Sequence, residues 1–137
     1  MNRLRYGTDS AIDLEFEEGV LLGAFGCPAG KPLDSVEKAV TAALNEPLGY
    51  PALAQCITPS DRIVLALEPG VPQVAEVTTA VIQALLDANI HPDGITVLQT
   101  QAAAEAGNDP CRLLDASIRS DVTLEVHAPD ERDRLGN

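Results

Sequence analysis

Hydrophobic and polar residues alternate strictly near the amino terminus. In the segment AIDLEFEEGVLLGAF, Ile12, Leu14 and Phe16 share one face, acidic residues occupy the other, and Glu18-Gly19 then marks a turn. The pattern predicts an antiparallel β-hairpin with one solvated face.

The segment PLDSVEKAVTAALNEP changes to the period of an α-helix. Its apolar residues recur three and four positions apart and form one face: Val36, Ala39, Val40, Ala43 and Leu44. Asp34 is the predicted N-cap, and Glu37 three residues later completes a capping-box-like signal. We expect Pro47 to end this helix.

Three short apolar segments further along the chain predict buried strands. The first begins at Ile63, the second covers residues 95–99, and the third covers residues 121–127. Residues 73–88, between the first two, predict a helix with one apolar face: Val74, Val77, Val81, Leu85 and Ala88. Asn89 suits the left-handed position after this helix, and Ile90 supplies the usual hydrophobic contact back to its last turn.

Residues 101–107 and 111–116 are also predicted to be helical, so helices and strands alternate after the hairpin. This order calls for parallel strands joined by right-handed crossovers. The predicted fold is therefore α/β: a mostly parallel, Rossmann-like sheet flanked by helices, with an N-terminal β-hairpin, in a single domain over residues 1–137. Its carboxyl edge would bring together Glu68, Thr100, Gln101 and His127.

Charge and composition narrow the classes of partner. The net charge of −12 opposes binding to phosphate backbones, so we exclude nucleic acid. The amino terminus lacks the apolar stretch of a signal peptide, and no run reaches the ~18 apolar residues that a membrane span needs. We therefore expect a soluble, cytoplasmic protein without a membrane partner. Cys27, Cys56 and Cys111 are widely spaced and are expected to be reduced, without a metal.

Four stretches in order carry a resemblance to a known family. Tyr6-Gly7 precedes the hairpin, and AALNEPLGYPAL, residues 42–53, is similar to AL-x-x-P-I/L-G-x-x-x-L. LLDANIHPDGITVL, residues 85–98, is similar to L-x-x-x-G-I-x-x-x-x-I-T-I/V-L, and HAPDERDRLGN, residues 127–137, is similar to H-D-P-x-D-x-x-x-L-x-x-L-G. Together they resemble the N-terminal domain of the nickel-pincer-nucleotide-dependent lactate racemases.

The resemblance implies a two-domain enzyme whose nickel cofactor accepts hydride from lactate. It also implies a D-x-T-R-P-x-P motif for phosphate and substrate contact and a T-G-T-H-R motif whose histidine moves a proton. The first falls here on LEPGVP, residues 67–72, without the arginine, and the second on QAAAE, residues 101–105, with Ala104 in place of the histidine. An anion clamp and an acid-base group are thereby lost. The family's anchoring lysine belongs to a C-terminal domain that this sequence does not include. We expect no racemase activity and no nickel-pincer nucleotide.

The remaining candidates for ligand binding are Glu68, Gly70, Thr100, Gln101, His127 and Asp130, with no metal ligands among them. Each has a plainer interpretation. Glu68 can be a turn residue in water, Thr100 and Gln101 can simply meet solvent at a strand end, and His127 can hydrogen-bond a carboxylate such as Asp130. Pro69-Gly70 leaves backbone N–H groups free for an anion or is only a tight connection. His91 is expected to be a solvated loop residue.

Two functions remain open. The favoured one is a non-catalytic relative of the racemase N-terminal domain that binds a ligand or a partner. The alternative is an enzyme of altered chemistry, isomerase-like and acting on a small hydroxy acid, with Glu68 and His127 as its weak catalytic candidates. Without the second domain, one surface would be covered by pairing, and a homodimer is slightly preferred to a separate partner chain.

Overall fold

The computed structural model describes residues 2–6, 10–17, 19–20, 23 and 33–128. The chain divides into two compact units, residues 1–32 and 33–137. The prediction of one domain over residues 1–137 stays a prediction.

The amino-terminal unit contains the predicted antiparallel hairpin, with different strands. Strand β1 (Asn2–Tyr6) pairs with β2 (Ser10–Leu14), so that Leu4 lies opposite Ile12 and Arg3 opposite Asp13. The predicted first strand is therefore the second strand of the observed hairpin. Alternation assigns residues to faces but does not say which segment is the partner, and for that reason the upstream strand was missed.

The alternating segment ends as a strand at Leu14, and residues 15–17 form no strand. The N–H of Val20 donates to the carbonyl of Glu17 at 3.2 Å, and Gly19 has a φ of +84°. The predicted turn is thus confirmed at Gly19. Glu18 and most of the predicted returning strand lie outside the described residues.

The second unit begins with helix α1 (Val36–Asn45), followed by the short helix α2 (Leu53–Cys56). The predicted N-cap, Asp34, is wrong: Ser35 occupies that position, and its side chain accepts a hydrogen bond from the N–H of Lys38. The capping-box interpretation of Glu37 fails with it, because the third helical residue is Lys38. The helix ends before Pro47, as predicted.

The parallel sheet has three strands in sequential order: β3 (Ile63–Ala66), β4 (Ile95–Thr100) and β5 (Thr123–His127). Both pairings are parallel, which confirms the predicted α/β fold with a parallel sheet. β4 lies in the centre and presents residues of alternating burial to the two faces of the sheet.

Helix α3 (Val74–Asp87) connects β3 to β4. At its carboxyl end Asn89 has a φ of +66°, and the N–H of Ile90 donates to the carbonyl of Leu85 at 3.0 Å. The predicted left-handed termination is confirmed, and Ile90 is buried in the core beside Leu85.

Two short helices, α4 (Gln101–Glu105) and α5 (Ala116–Asp121), lie between β4 and β5. The prediction of a helix over residues 111–116 is wrong, because that segment is a series of turns and α5 begins only at its last residue. The side chain of Asp109 accepts the N–H of Cys111 at 2.9 Å, and this local bond favours a turn over a helix.

The core lies on one face of the sheet. Side chains of β4, α3 and the segment after α4 pack together there: Ile82, Leu85, Ile90, Ile95, Val97, Cys111 and Val122, with Leu114 and Ile118 against them. The predicted apolar face of α3 is only partly right, since Val74, Val77 and Val81 are half-buried, whereas Ala75, Thr78 and Ile82 are buried. Helix α1 packs against α3, so α3 is covered on more than one side.

Among residues 33–128, the opposite face of the sheet is exposed at both outer strands. Val64 of β3 is 60% exposed, and Ala66, Thr123, Glu125 and His127 are exposed as well. Paired residues of parallel strands share a face, so these side chains belong to one surface, which we call the open face. No helix of the described residues is long and apolar enough to cross a membrane.

Candidate functional site at the carboxyl edge of the sheet

The strand registers bring the predicted site residues to one edge of the sheet. Thr100 pairs with His127, and Ala66 pairs with Leu98, two residues before Thr100. The N–H of Leu67 continues this pattern by donating to the carbonyl of Leu98 at 2.9 Å. Thr100 and His127 are the last residues of their strands, and Glu68 and Gln101 come just after theirs. All four therefore lie on the same side of the sheet, as their order in the sequence predicted. Asp130 lies outside the described residues.

Two of these residues have local structural roles. The side chain of Thr100 caps α4 by accepting the N–H of Ala103 at 3.3 Å. The amide of Gln101 donates to Glu105 at 2.7 Å, one turn further along the same helix. Both side chains therefore already form hydrogen bonds with α4, although the hydroxyl of Thr100 can still donate one more.

The loop after β3 carries Glu68 and Gly70. Glu68 is exposed, in keeping with the interpretation as a turn residue in water, and Gly70 has a φ of +87°, a conformation that favours glycine. The loop leads to Gln73, which precedes α3 with a φ of +50° and gives that helix no side-chain cap.

His127 is the last residue of β5 and is exposed on the open face. Its position beside Thr100 comes from the strand register alone. The carboxylate proposed as its partner, Asp130, is not among the described residues, so both interpretations of His127 stay open.

Sequence reasoning missed several buried polar groups near the same edge. Gln99 is 6% exposed on the core face of β4, and Thr78 is 1% exposed in α3. The hydroxyl of Thr78 and Oε2 of Glu76 have no hydrogen-bond partner among the described residues. Arg112 reaches the other oxygen of Glu76 at 3.3 Å. A signal was present for Gln99, since it continues the alternation of Ile95 and Val97, and that alternation predicts an inward side chain.

Cys111 is fully buried in the core, whereas Cys56 is exposed. Burial raises the pKa of the Cys111 thiol, Arg119 opposes this shift, and Asp109 adds to it. Both observations agree with a thiol that packs as a small hydrophobe. Cys27 lies outside the described residues, and the described part of the chain contains no group of three or more His, Cys, Asp or Glu side chains that could hold a metal ion.

The residues at the two racemase motif positions do not fit a nickel-pincer nucleotide. The segments that resemble those two motifs, residues 67–72 and 101–105, lie in the loop after β3 and in α4. The exposed carboxylate of Glu68 lies in the first, where an anionic nucleotide would need a cation. In the second, the methyl group of Ala104 can neither ligate a metal nor move a proton.

No family model, no curated protein and no solved structure matches this chain.

Proposed function

We propose that this protein is a non-catalytic, partner-binding relative of the lactate racemase N-terminal domain, with a Rossmann-like sheet. The observation that supports this function best is the open face of the parallel sheet. The ordered set of motifs in the sequence supports the relationship, and the unsuitable residues at both motif positions support the absence of racemase chemistry.

Parallel sheets are ordinarily covered on both faces. Here α3 and the segment that ends in α5 pack against one face, while Val64 is 60% exposed on the other. β-branched side chains on a strand favour a covered surface, so a partner that buries Val64 and Ala66 would gain hydrophobic free energy. The open face is therefore the proposed docking surface.

The partner is a separate chain rather than a second copy. Glu125 is exposed on the open face, and a two-fold contact through that face would bring two such carboxylates into one interface. The net charge of −12 adds repulsion between copies. A partner with a basic side chain opposite Glu125 avoids both the paired carboxylates and the repulsion between copies. We therefore propose a separate partner chain, whereas the sequence alone slightly favoured a homodimer.

The same partner would adjoin the carboxyl edge of the sheet, since His127 belongs to both surfaces. The ligand-binding role of Glu68, Gly70, Thr100, Gln101 and His127 is proposed on this basis. A small molecule would lie among their polar groups only once the partner excludes water from the edge.

Light scattering over a range of protein concentrations tests whether the protein pairs with itself. We expect a monomer at physiological salt throughout, and a concentration-dependent dimer would contradict the choice of a separate partner.

Site-specific photocrosslinking in the source cells tests the docking surface. A photoreactive residue at position 64 should give one discrete adduct, and the same residue at Gln83, an exposed position of α3, should not. The adduct should be lost in the Glu125→Lys variant and should form again from the purified partner identified by mass spectrometry. Equal adducts from positions 64 and 83, or no adduct from position 64, would contradict the proposal.

A further inference from the structure

A cleft of about 340 Å³ opens at the opposite, amino edge of the same sheet. It lies between the turn that leads into β3 and the single 3₁₀ turn, Pro92–Gly94, that leads into β4. Its lining residues are Pro59, Ser60, Asp61, Arg62, His91, Asp93 and Gly94. None of them belongs to the proposed partner surface.

Hydrogen bonds hold both walls of the cleft in place. The carboxylate of Asp61 accepts the N–H of Thr58 at 2.8 Å through one oxygen and the Thr58 hydroxyl at 2.9 Å through the other. On the facing wall, the N–H of Gly94 donates to the carbonyl of His91 at 2.9 Å. The cleft is thus bounded by two closed turns.

The two walls meet closely at Gly94. A Cβ built there would lie 3.3 Å from the carbonyl oxygen of Asp61, which is tighter than an ordinary contact. Both turns continue into β3 and β4, and Ile95, the next residue after Gly94, is fully buried in the core. Both walls of the cleft are therefore anchored on neighbouring strands of the sheet.

The polar groups of the cleft carry both signs of charge. Arg62 is a permanent cation and forms no ion pair with another described residue. Asp61 and Asp93 are carboxylates, and the hydrogen bonds from Thr58 lower the pKa of Asp61, so that it stays ionised at neutral pH. Ser60 and His91 add further hydrogen-bonding groups.

We propose that this cleft binds a small zwitterion, of the size and charge pattern of a free amino acid. Its carboxylate pairs with the guanidinium of Arg62, and its ammonium group lies towards Asp61 and Asp93. A simple anion would meet two carboxylates and a simple cation would meet Arg62, whereas a zwitterion satisfies both signs at once. The volume is at the low end of the roughly 300–1,000 Å³ of ligand clefts, which favours a molecule smaller than a nucleotide.

Titration of the ¹⁵N-labelled protein with L-alanine, acetate and methylammonium tests this inference. The backbone amides of Arg62, Asp93 and Gly94 should shift saturably with L-alanine and should not saturate with either of the other two at equal concentration. Equal saturation by acetate would show an anion contact only, and no saturable shift with L-alanine would show that no zwitterion site exists. Either result overturns the proposal.

Two variants make the test specific. Arg62→Gln should weaken L-alanine binding at least about tenfold, because it removes a charge-assisted hydrogen bond. Lys38→Gln is the matched control: it removes the same charge from an exposed position of α1 and should leave binding unchanged. If the two variants weaken binding equally, only the net charge of the protein matters and L-alanine does not contact Arg62. That result would overturn the assigned site. None of these readouts depends on the open face.

Discussion

The Nη2 atom of Arg112 lies 3.3 Å from Oε1 of Glu76, and this ion pair joins residues 36 positions apart. It ties the turns after α4 to the first turn of α3. The side chains are 56% and 36% exposed, so water screens their attraction. Oε2 of Glu76, however, is buried without a partner among the described residues, and the carboxylate depends on this contact more than an ordinary surface group would.

We expect Arg112→Ala to lower the free energy of unfolding by about 0.5–1 kcal/mol, the upper part of the range for exposed ion pairs. Urea denaturation monitored by circular dichroism measures the change. Arg62→Ala is the control, because Arg62 forms no ion pair with another described residue, and its midpoint should not move. Equal midpoints for the two variants would show that the pair with Glu76 contributes nothing.

Substitutions at the start of α1 test which of two neighbouring residues, Asp34 or Ser35, caps the helix. Ser35→Ala should lower the free energy of unfolding by about 1 kcal/mol, because it removes the hydrogen bond to the N–H of Lys38. Asp34→Ala should cost less, since Asp34 lies one residue before the cap. Thermal denaturation of both variants decides between them, and a larger loss for Asp34→Ala would restore the cap that the sequence pattern suggested.

Cys56 and Cys111 should differ sharply in reactivity. In a Cys27→Ser background, a thiol reagent at neutral pH should modify Cys56 rapidly and Cys111 only on unfolding, because Cys111 is fully buried and its thiol pKa is raised. Mass spectrometry of the timed reaction measures both rates. Comparable rates in the folded protein would contradict the burial of Cys111.

The raised pKa of Cys111 also predicts a dependence of stability on alkaline pH. The unfolded thiol ionises near its ordinary pKa of 9.0, whereas the folded thiol keeps its proton to higher pH. The contribution of the Cys111 thiol to the free energy of unfolding is therefore fully present below the unfolded pKa. It declines as the pH rises from the unfolded pKa towards the folded pKa. Cys111→Ala should reduce this alkaline decline, and an unchanged slope would assign the decline to other groups.

The carboxyl of Asp61 should titrate below its ordinary pKa of 3.8, because the N–H and hydroxyl of Thr58 both stabilise the anion. Thr58→Ala removes only the hydroxyl, so we expect the pKa to rise towards 3.8 without reaching it. Carboxyl ¹³C shifts followed through acidic pH measure both values. The lowered pKa means that the ionised Asp61 stabilises the folded protein above pH 3.8, and this stabilisation is lost as the pH falls. If the pKa of Asp61 is the same in Thr58→Ala as in the parent protein, the hydroxyl contact is contradicted.

Protein expressed together with the enzymes that make the nickel-pincer nucleotide should contain no stoichiometric nickel and should not interconvert D- and L-lactate. The reason is the exposed Glu68 and the methyl group of Ala104 at the two motif positions. Elemental analysis and a chiral lactate assay are the measurements. Nickel near one equivalent, with racemisation above background, would contradict this prediction and the non-catalytic proposal.

The sequence by itself determined the features that depend on local chemistry. The apolar segments around Ile63 and Ile95 became parallel strands, and Asn89 ended α3 in the left-handed conformation. The order of these elements also determined which edge Thr100 and His127 share. These features were predictable because hydrophobic period, strand order and helix termination each act over a few residues or follow from chain connectivity.

Only the tertiary structure decided the remainder. It selected Ser35 over Asp34 as the cap, paired β2 with an upstream strand, and left Val64 exposed on the open face. The choice between two adjacent capping residues, for example, compares alternatives of nearly equal local free energy. Contacts between segments distant in sequence settle such comparisons, and a pattern along the chain does not contain those contacts.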